Sequence, residues 1–373
     1  MNVTPELLEK AKKILKCQVS DDILKALLEK MPSEDVMPMS LSVMEEPLRS
    51  IPAGTPADQA VAIVMGKMKR LSDSRKAEAP GNSRQYTRQY FDHIWLEQRL
   101  MDPKLPDATM ELFGETFTSP IMTAALSHLK KYAPSPEDPM VGMARGAKEA
   151  GIVHWIGMCE DEEFDRIAAT GARIIRIIKP YADDGKVLAQ IRHAEEAGAL
   201  AVGIDIDHTF TSEGTIDIVE GEEMAIKTSA DIERYVRSTS LPFVIKGVLS
   251  VHDALACAKV GVKGIVVSHH GGRMPFAVPP LVVLPDIVAA VGGRMEIFVD
   301  CGFTSGADVY KALAMGAKAV SVGTHLMPTL MRGGSAAVTA RIKEMTEELK
   351  GFMANTGVGD TRSFDPSVLH FQK

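Results

Sequence analysis

From about residue 118 onward the chain repeats one pattern: a short apolar run, a turn, then an amphipathic helical stretch. The runs are 120–125 (PIMTAA), 152–157 (IVHWIG), 172–178 (ARIIRII), 199–207 (ALAVGIDID), 242–248 (PFVIKGV), 264–270 (GIVVSHH), 296–302 (EIFVDCG) and 319–324 (AVSVGT). Between them lie segments such as PMVGMARGAKEAG, KVLAQIRHAEEAG and VHDALACAKVG, most of them ending in Gly, the usual helix stop. Runs apolar on both faces suit parallel strands buried on both sides. Eight strand–helix units in succession predict an α/β fold, the (β/α)₈ barrel; a doubly wound sheet more often stops at five or six strands.

The preceding part reads differently. Residues 1–30 carry apolar positions at helical spacing (Leu7, Leu8, Ala11, Ile14, Leu15), and Ser20 is placed to cap a second helix, DDILKALLEKM. Residues 31–85 are rich in Pro, Met, Ser and Gly, with one helix predicted at 57–71. The chain therefore divides into an extension over 1–85 and a barrel over 86–373. A net charge of −7 argues against a nucleic-acid or anionic-membrane partner. No apolar run approaches a membrane span, and the start, MNVTPELLEKAKKIL, has no signal-peptide core, so the cytoplasm is the expected location. The four cysteines (Cys17, Cys159, Cys257, Cys301) form no CxxC pair, which argues against a disulfide framework or a zinc site.

Barrel enzymes carry their chemistry at the carboxyl ends of the strands. Polar residues collect at those ends here: Arg176, Asp205, Asp207, Lys246, Ser268, His270, Asp300 and Thr324. Core packing does not require them. The densest group is VSHHGGRM, 267–274, which sets two imidazoles, two glycines and a guanidinium within five residues.

The ordered series VIKG, VVSHHGGR and VDCGFTSGADVYKALAMGAKAVSVG resembles the FMN-dependent α-hydroxy-acid oxidases and dehydrogenases, the group that contains glycolate oxidase and L-lactate oxidase. The similarity runs from FGETFTSPIM to about residue 355. It implies that Lys246 stands beside the N1–C2=O edge of the flavin, where a fixed cation stabilises charge on the reduced ring. His270 matches the family's base and Asp207 the carboxylate that orients it. Arg273 matches the clamp on the substrate carboxylate, a task suited to a planar guanidinium fork. Asp300, Gly302, Phe303 and Gly323 fall where the family holds the ribityl chain and phosphate. Ala125, Leu126, Ser127, Gly157 and Ser268 complete the residues expected to contact FMN. Small carboxylates are the implied substrates, and a homo-oligomer, a tetramer in many members, the implied assembly.

Departures accompany the matches. Thr304 and Thr324 stand where the family has two phosphate-binding arginines, so FMN is expected to bind more weakly unless His325 or Arg332 compensates. Arg176 and Ile178 replace a Gln-x-Tyr pair, and Asp205 replaces a threonine; Arg176 and Asp205 are therefore expected to form an ion pair at the flavin edge. His269 stands where Asn is usual, and strand alternation predicts that it points away from His270. The segment 207–224 is acidic and lacks a second substrate arginine, while Met274, Phe276, Val278, Pro279 and Pro280 form an apolar wall. Three readings stay open at this level: oxidation of a 2-hydroxy acid, net non-redox chemistry on a flavin, and a degenerate flavin site that holds another ligand.

Overall fold

The computed structural model describes residues 3–15, 19–29, 44, 48–49, 51–52, 54–66, 80–129 and 137–372. It separates into two compact units, Met1–Asn82 and Ser83–Lys373. In the first, Thr4 caps helix α1 (Pro5–Ile14) by accepting from the Leu7 amide, and Ser20 does the same for the Ile23 amide at the start of α2 (Asp21–Glu29). A further helical stretch covers 57–66; the rest of the 57–71 prediction, and most of the methionine-rich part, lie outside the described residues. Leu24, Leu27, Leu28, Ala60 and Val64 form the small core of this unit.

The second unit opens with α3 (Ser83–Asp92) and then builds the barrel. Its strands are β1 (Ile121–Thr123), β2 (His154–Ile156), β3 (Ile174–Ile178), β4 (Ala201–Asp205), β5 (Phe243–Val248), β6 (Gly264–Val267), β7 (Glu296–Val299) and β8 (Ala319–Val322). Each strand falls inside one of the eight runs read from the sequence. After each comes a helix: α4 (Pro139–Ala150), α5 (Asp161–Ala168), α6 (Asp184–Glu196), α7 (Ser229–Arg237), α8 (Val251–Lys259), α9 (Pro280–Val291), α10 (Gly306–Ala314) and α11 (Met327–Asn355). The strands pair in parallel in the order β1-β8-β7-β6-β5-β4-β3-β2. Between β1 and β2 the barrel closes through the Thr123 amide, which donates to Val153 O at 3.2 Å, and through a bridge between Leu126 and Ile156. The (β/α)₈ architecture is as expected.

Side chains fill the interior. Met122, Trp155, Ile175, Ile177, Val244 and Phe298 pack together there, with the Trp155 and Phe298 rings edge to face at 5.3 Å. Beneath them the hairpin Met110–Leu112/Glu115–Phe117 adds Met110, Leu112 and Phe117 and closes the amino end. With that end plugged, the free space of the barrel lies at the carboxyl ends of the strands. Among the described residues no helix is long and apolar enough to cross a membrane. Cys159, Cys257 and Cys301 are free thiols, and Cys17 lies outside the described residues.

Candidate active site at the carboxyl ends of the strands

Register brings the first charges together. Lys246 of β5 pairs opposite Asp205 of β4, and both side chains are buried. The Lys246 ammonium lies 2.9 Å from His270 Nδ1, 3.5 Å from Asp207 Oδ2, 3.8 Å from Asp205 Oδ1 and 3.9 Å from Asp300 Oδ2. Burial works against its charge, but these carboxylates outweigh burial and hold it protonated. Asp207 can lie over β5 only because residue 247 is glycine. A Cβ there would sit 2.7 Å from the Asp207 carboxyl, and the backbone has φ +95°.

His270 follows β6, which ends at Val267, and takes a left-handed backbone (φ 51°). Its Nδ1–H donates to Asp207 Oδ1 at 2.6 Å. Burial and Lys246 push the imidazole down, yet Asp205 and Asp207 together hold it above its ordinary value. Burial, reinforced by Asp205, raises Asp207, whereas Lys179 and Lys246 overcome burial and hold Asp205 well below the carboxylate range. Four groups here (Asp205, Asp207, His208, His270) bring ligand-type atoms within 4.8 Å of one another. The two lysine ammoniums already supply the compensating positive charge.

Beyond His270 lies a second histidine that the sequence reading missed. His208 Nε2 is 3.3 Å from His270 Nε2, with the rings edge to face at 4.5 Å. Its Nδ1–H donates to Asp217 Oδ2 at 3.0 Å, and burial pushes its pKa down to about 3. A neutral His208 with its proton on Nδ1 presents a bare Nε2, so His270 Nε2–H is the donor across the gap. Asp217 in turn pairs with Arg273, which also donates to Phe210 O at 2.8 Å.

A cavity of about 300 Å³ opens beside this network. Of the residues expected at the cofactor, Ala125, Leu126, Lys246, Asp300, Gly302, Phe303, Gly323 and Thr324 line it, together with His270. Ala124, His269, Gly271, Cys301 and Ser321, which lie within the runs and motifs read from the sequence, line it as well, and so do Arg84 and Thr87, which no motif announces. Asp207 and Arg273 belong to the network at its edge. Ser127 packs against Gly157 outside the lining: a Cβ on that glycine would meet Ser127 Oγ at 2.5 Å. Ser268 is buried behind His270 and accepts from its amide at 3.0 Å.

Three expectations are corrected. Arg176 faces away from the flavin edge. Its guanidinium donates to Asp161 Oδ1 at 2.8 Å and Cys159 O at 3.1 Å and lies 4.6 Å over the Phe164 ring, between β3 and the outer helices. Ile175 and Ile177 take the inward positions of β3, so period-two alternation sends Arg176 out and brings Lys179 in. Asp205 therefore pairs with Lys179, at 2.7 Å, and not with Arg176. Secondly, His269 and His270 line the same cavity, because the strand has ended before them and alternation no longer applies. His269 accepts from the Gly272 amide at 2.9 Å and contacts Thr87 Oγ1 at 2.7 Å. Thirdly, Thr304 lies outside the lining; its hydroxyl donates to Asp308 Oδ2 at 3.0 Å, and neither His325 nor Arg332 reaches the cavity.

Comparison with known proteins agrees with this architecture. Residues 75–230 and 221–371 match the FMN-dependent dehydrogenase family. The 4-hydroxymandelate oxidase of Amycolatopsis orientalis is 32% identical over 289 residues, covering 68% of this chain and 80% of that protein. Glycolate oxidase of Spinacia oleracea is 30% identical over 320 residues, 76% of this chain and 86% of the other. A solved mandelate oxidase mutant with the monooxide FMN adduct superimposes with a TM-score of 0.71 at 30% identity, covering 79% of this chain and 92% of that one. Mandelate oxidase with (S)-2-phenylpropionate gives 0.70 at 30% identity, covering 79% and 90%. On this fold and these matches, the chain belongs to the FMN-dependent dehydrogenase family, with FMN as its cofactor.

Proposed function

We propose that the protein oxidises a 2-hydroxy acid to the 2-oxo acid, with His270 taking the substrate's proton and Arg273 holding its carboxylate. The observation that carries this reading is the contact set of buried Lys246 with half-buried His270 and Asp207, two of which, Lys246 and His270, line the cavity, with Arg273 three residues beyond the imidazole.

The residues present fit FMN. Lys246 supplies a fixed positive charge in the cavity wall, and Ser321 Oγ, a buried hydroxyl without a partner, lines the same space. Ser321 and Asp300 suit polyol hydroxyls, while Gly302, Gly323 and Thr324 would hold the phosphate end through backbone N–H groups and one hydroxyl. When bound, FMN would take up the α-hydrogen of the substrate together with the two electrons of its Cα–H bond.

The remaining work falls to side chains of this chain. Arg273 fixes the substrate carboxylate through parallel N–H bonds. His270 Nε2 receives the hydroxyl proton, Asp207 keeps the ring in register through Nδ1–H, and the Asp205 and Asp207 charges stabilise the imidazolium. Outside the cavity lining, the exposed Met274 and Phe276 follow Arg273 directly in the chain, and the Tyr86 ring lies 6.4 Å from Phe276, which offers an apolar surface next in sequence to the clamp. That favours substrates with a bulky apolar substituent over glycolate.

Anaerobic mixing of the purified flavoprotein with mandelate, lactate and glycolate tests the reading. We expect mandelate to bleach the oxidised flavin absorption, and a His270→Asn variant that retains FMN to stay yellow. A wild-type protein that no 2-hydroxy acid bleaches overturns the proposal.

A further inference from the structure

The two groups assigned to the substrate are both engaged by one segment of this chain. Residues 206–228 join β4 to α7, and from this connection His208 meets the His270 Nε2 while Asp217 meets the Arg273 Nη2. The two latching side chains are tied to each other through His208 Nδ1 and Asp217 Oδ2. With His208 in place, His270 Nε2 carries a proton toward it and cannot receive one. With Asp217 in place, the clamp already holds a carboxylate.

Arg273 shows how the arrangement can be undone. Asp217 and Phe210 O both use Nη2, while Nε of the same guanidinium is buried without a partner. An incoming carboxylate can take Nε and Nη2 together, a two-bond fork against the present single-nitrogen contact. The exchange is neutral, one carboxylate for another. Phe210 and Ile218 are exposed, whereas Met224 is buried and Ile206, Ile216 and Val219 pack against the barrel core, so the release is a local shift of the Asp217 and His208 side chains and leaves the segment anchored.

We propose that Asp217 and His208 form a latch that a substrate carboxylate releases: displacing Asp217 from Arg273 draws His208 off His270, and His208 leaves with the Nε2 proton, its imidazolium paired with the Asp217 carboxylate, so that His270 is left neutral with its proton on Nδ1. This rests on the assignment of Arg273 and His270 made above and adds a specificity device to it. A hydroxylated compound without a carboxylate would enter the cavity and meet a capped base. Asp217 and His208 are positioning residues in this scheme, acting through Arg273 and His270.

Imidazole and guanidinium ¹⁵N NMR of the FMN-loaded full chain tests it, using unreactive probes: (S)-2-phenylpropionate, acetate and the neutral 2-phenylpropionamide. Binding at the clamp is read from the Arg273 Nε–H signal and release from the His208 and His270 Nε2 signals. We expect the carboxylates to move all three signals together and the amide to move none. Asp217→Asn should show released imidazole signals without any ligand and bind carboxylate about tenfold more tightly, the internal competitor having been removed. Carboxylate binding that shifts Arg273 while leaving both imidazoles unmoved overturns the latch and leaves the clamp standing. If neither carboxylate perturbs Arg273, the clamp assignment fails and the latch with it. The wild-type titration decides the matter even if the variant does not fold.

Discussion

Asp205→Asn keeps the shape of a buried side chain and removes its charge. The carboxylate lies 2.7 Å from the Lys179 ammonium, 3.6 Å from His270 Nδ1 and 3.8 Å from the Lys246 ammonium. At an effective dielectric of about 20, each contact represents roughly 4–6 kcal/mol of attraction before desolvation is counted. Desolvation cancels much of this, and removing one partner of a buried pair costs about 3–5 kcal/mol. We expect the barrel unit to lose that much at pH 7. Lys179→Met should lose roughly half as much, because Asp205 keeps two other cations. Both tryptophans, Trp95 and Trp155, lie in the barrel unit, so urea unfolding followed by their fluorescence reports that unit alone. The pH dependence has a defined sign. Asp205 titrates well below its unfolded value of about 3.9, so its contribution is complete above about pH 4 and is lost as pH falls below that. Wild type and variant should therefore converge in acid. A loss under about 1 kcal/mol at pH 7, or a gap that does not narrow as pH falls below about 4, would refute the assignment of Asp205 as the hub of the charge network.

Gly247→Ala places a methyl 2.7 Å from the Asp207 carboxyl and demands φ +95° of a non-glycine residue. Moving the orienting carboxylate by such a distance should lower kcat by about 10²-fold in stopped-flow reduction, with FMN still bound. Arg273→Lys removes the fork, and KM for a hydroxy-acid substrate should rise about 10- to 100-fold with a smaller change in kcat. Thr324→Arg adds a cation at the far end of the cavity, and equilibrium flavin fluorescence should show FMN held about tenfold more tightly.

Much of the barrel was legible because its signal is repetitive: eight apolar runs with glycine-stopped helices leave few alternatives. Site positions carry no such redundancy. Reading Arg176 as inward was a slip of one residue on a strand of period two, which turned Lys179, the ammonium that does reach Asp205, into an unremarked neighbour. The apolar pattern of β3 could have settled this, since Ile175 and Ile177 must fill the interior. His208 had a weaker signal: it follows Asp207 directly, but only the 3₁₀ turn Ile206–His208 places it against His270. Arg84 and Thr87 reach the cavity from α3, far away in sequence, and nothing local to them announces it.

The left-handed backbone at His270 narrows which replacements that position can accept. Only glycine adopts such a conformation freely, with asparagine, aspartate and histidine the most tolerant among the others, and β-branched residues are strongly disfavoured. Drift at this codon is channelled toward side chains that are small or polar, and few of those offer a nitrogen lone pair at the right reach. Mutational scanning should accordingly find two separable filters at one site. A narrow set of residues will preserve a folded barrel, and within it a still narrower set will turn over substrate.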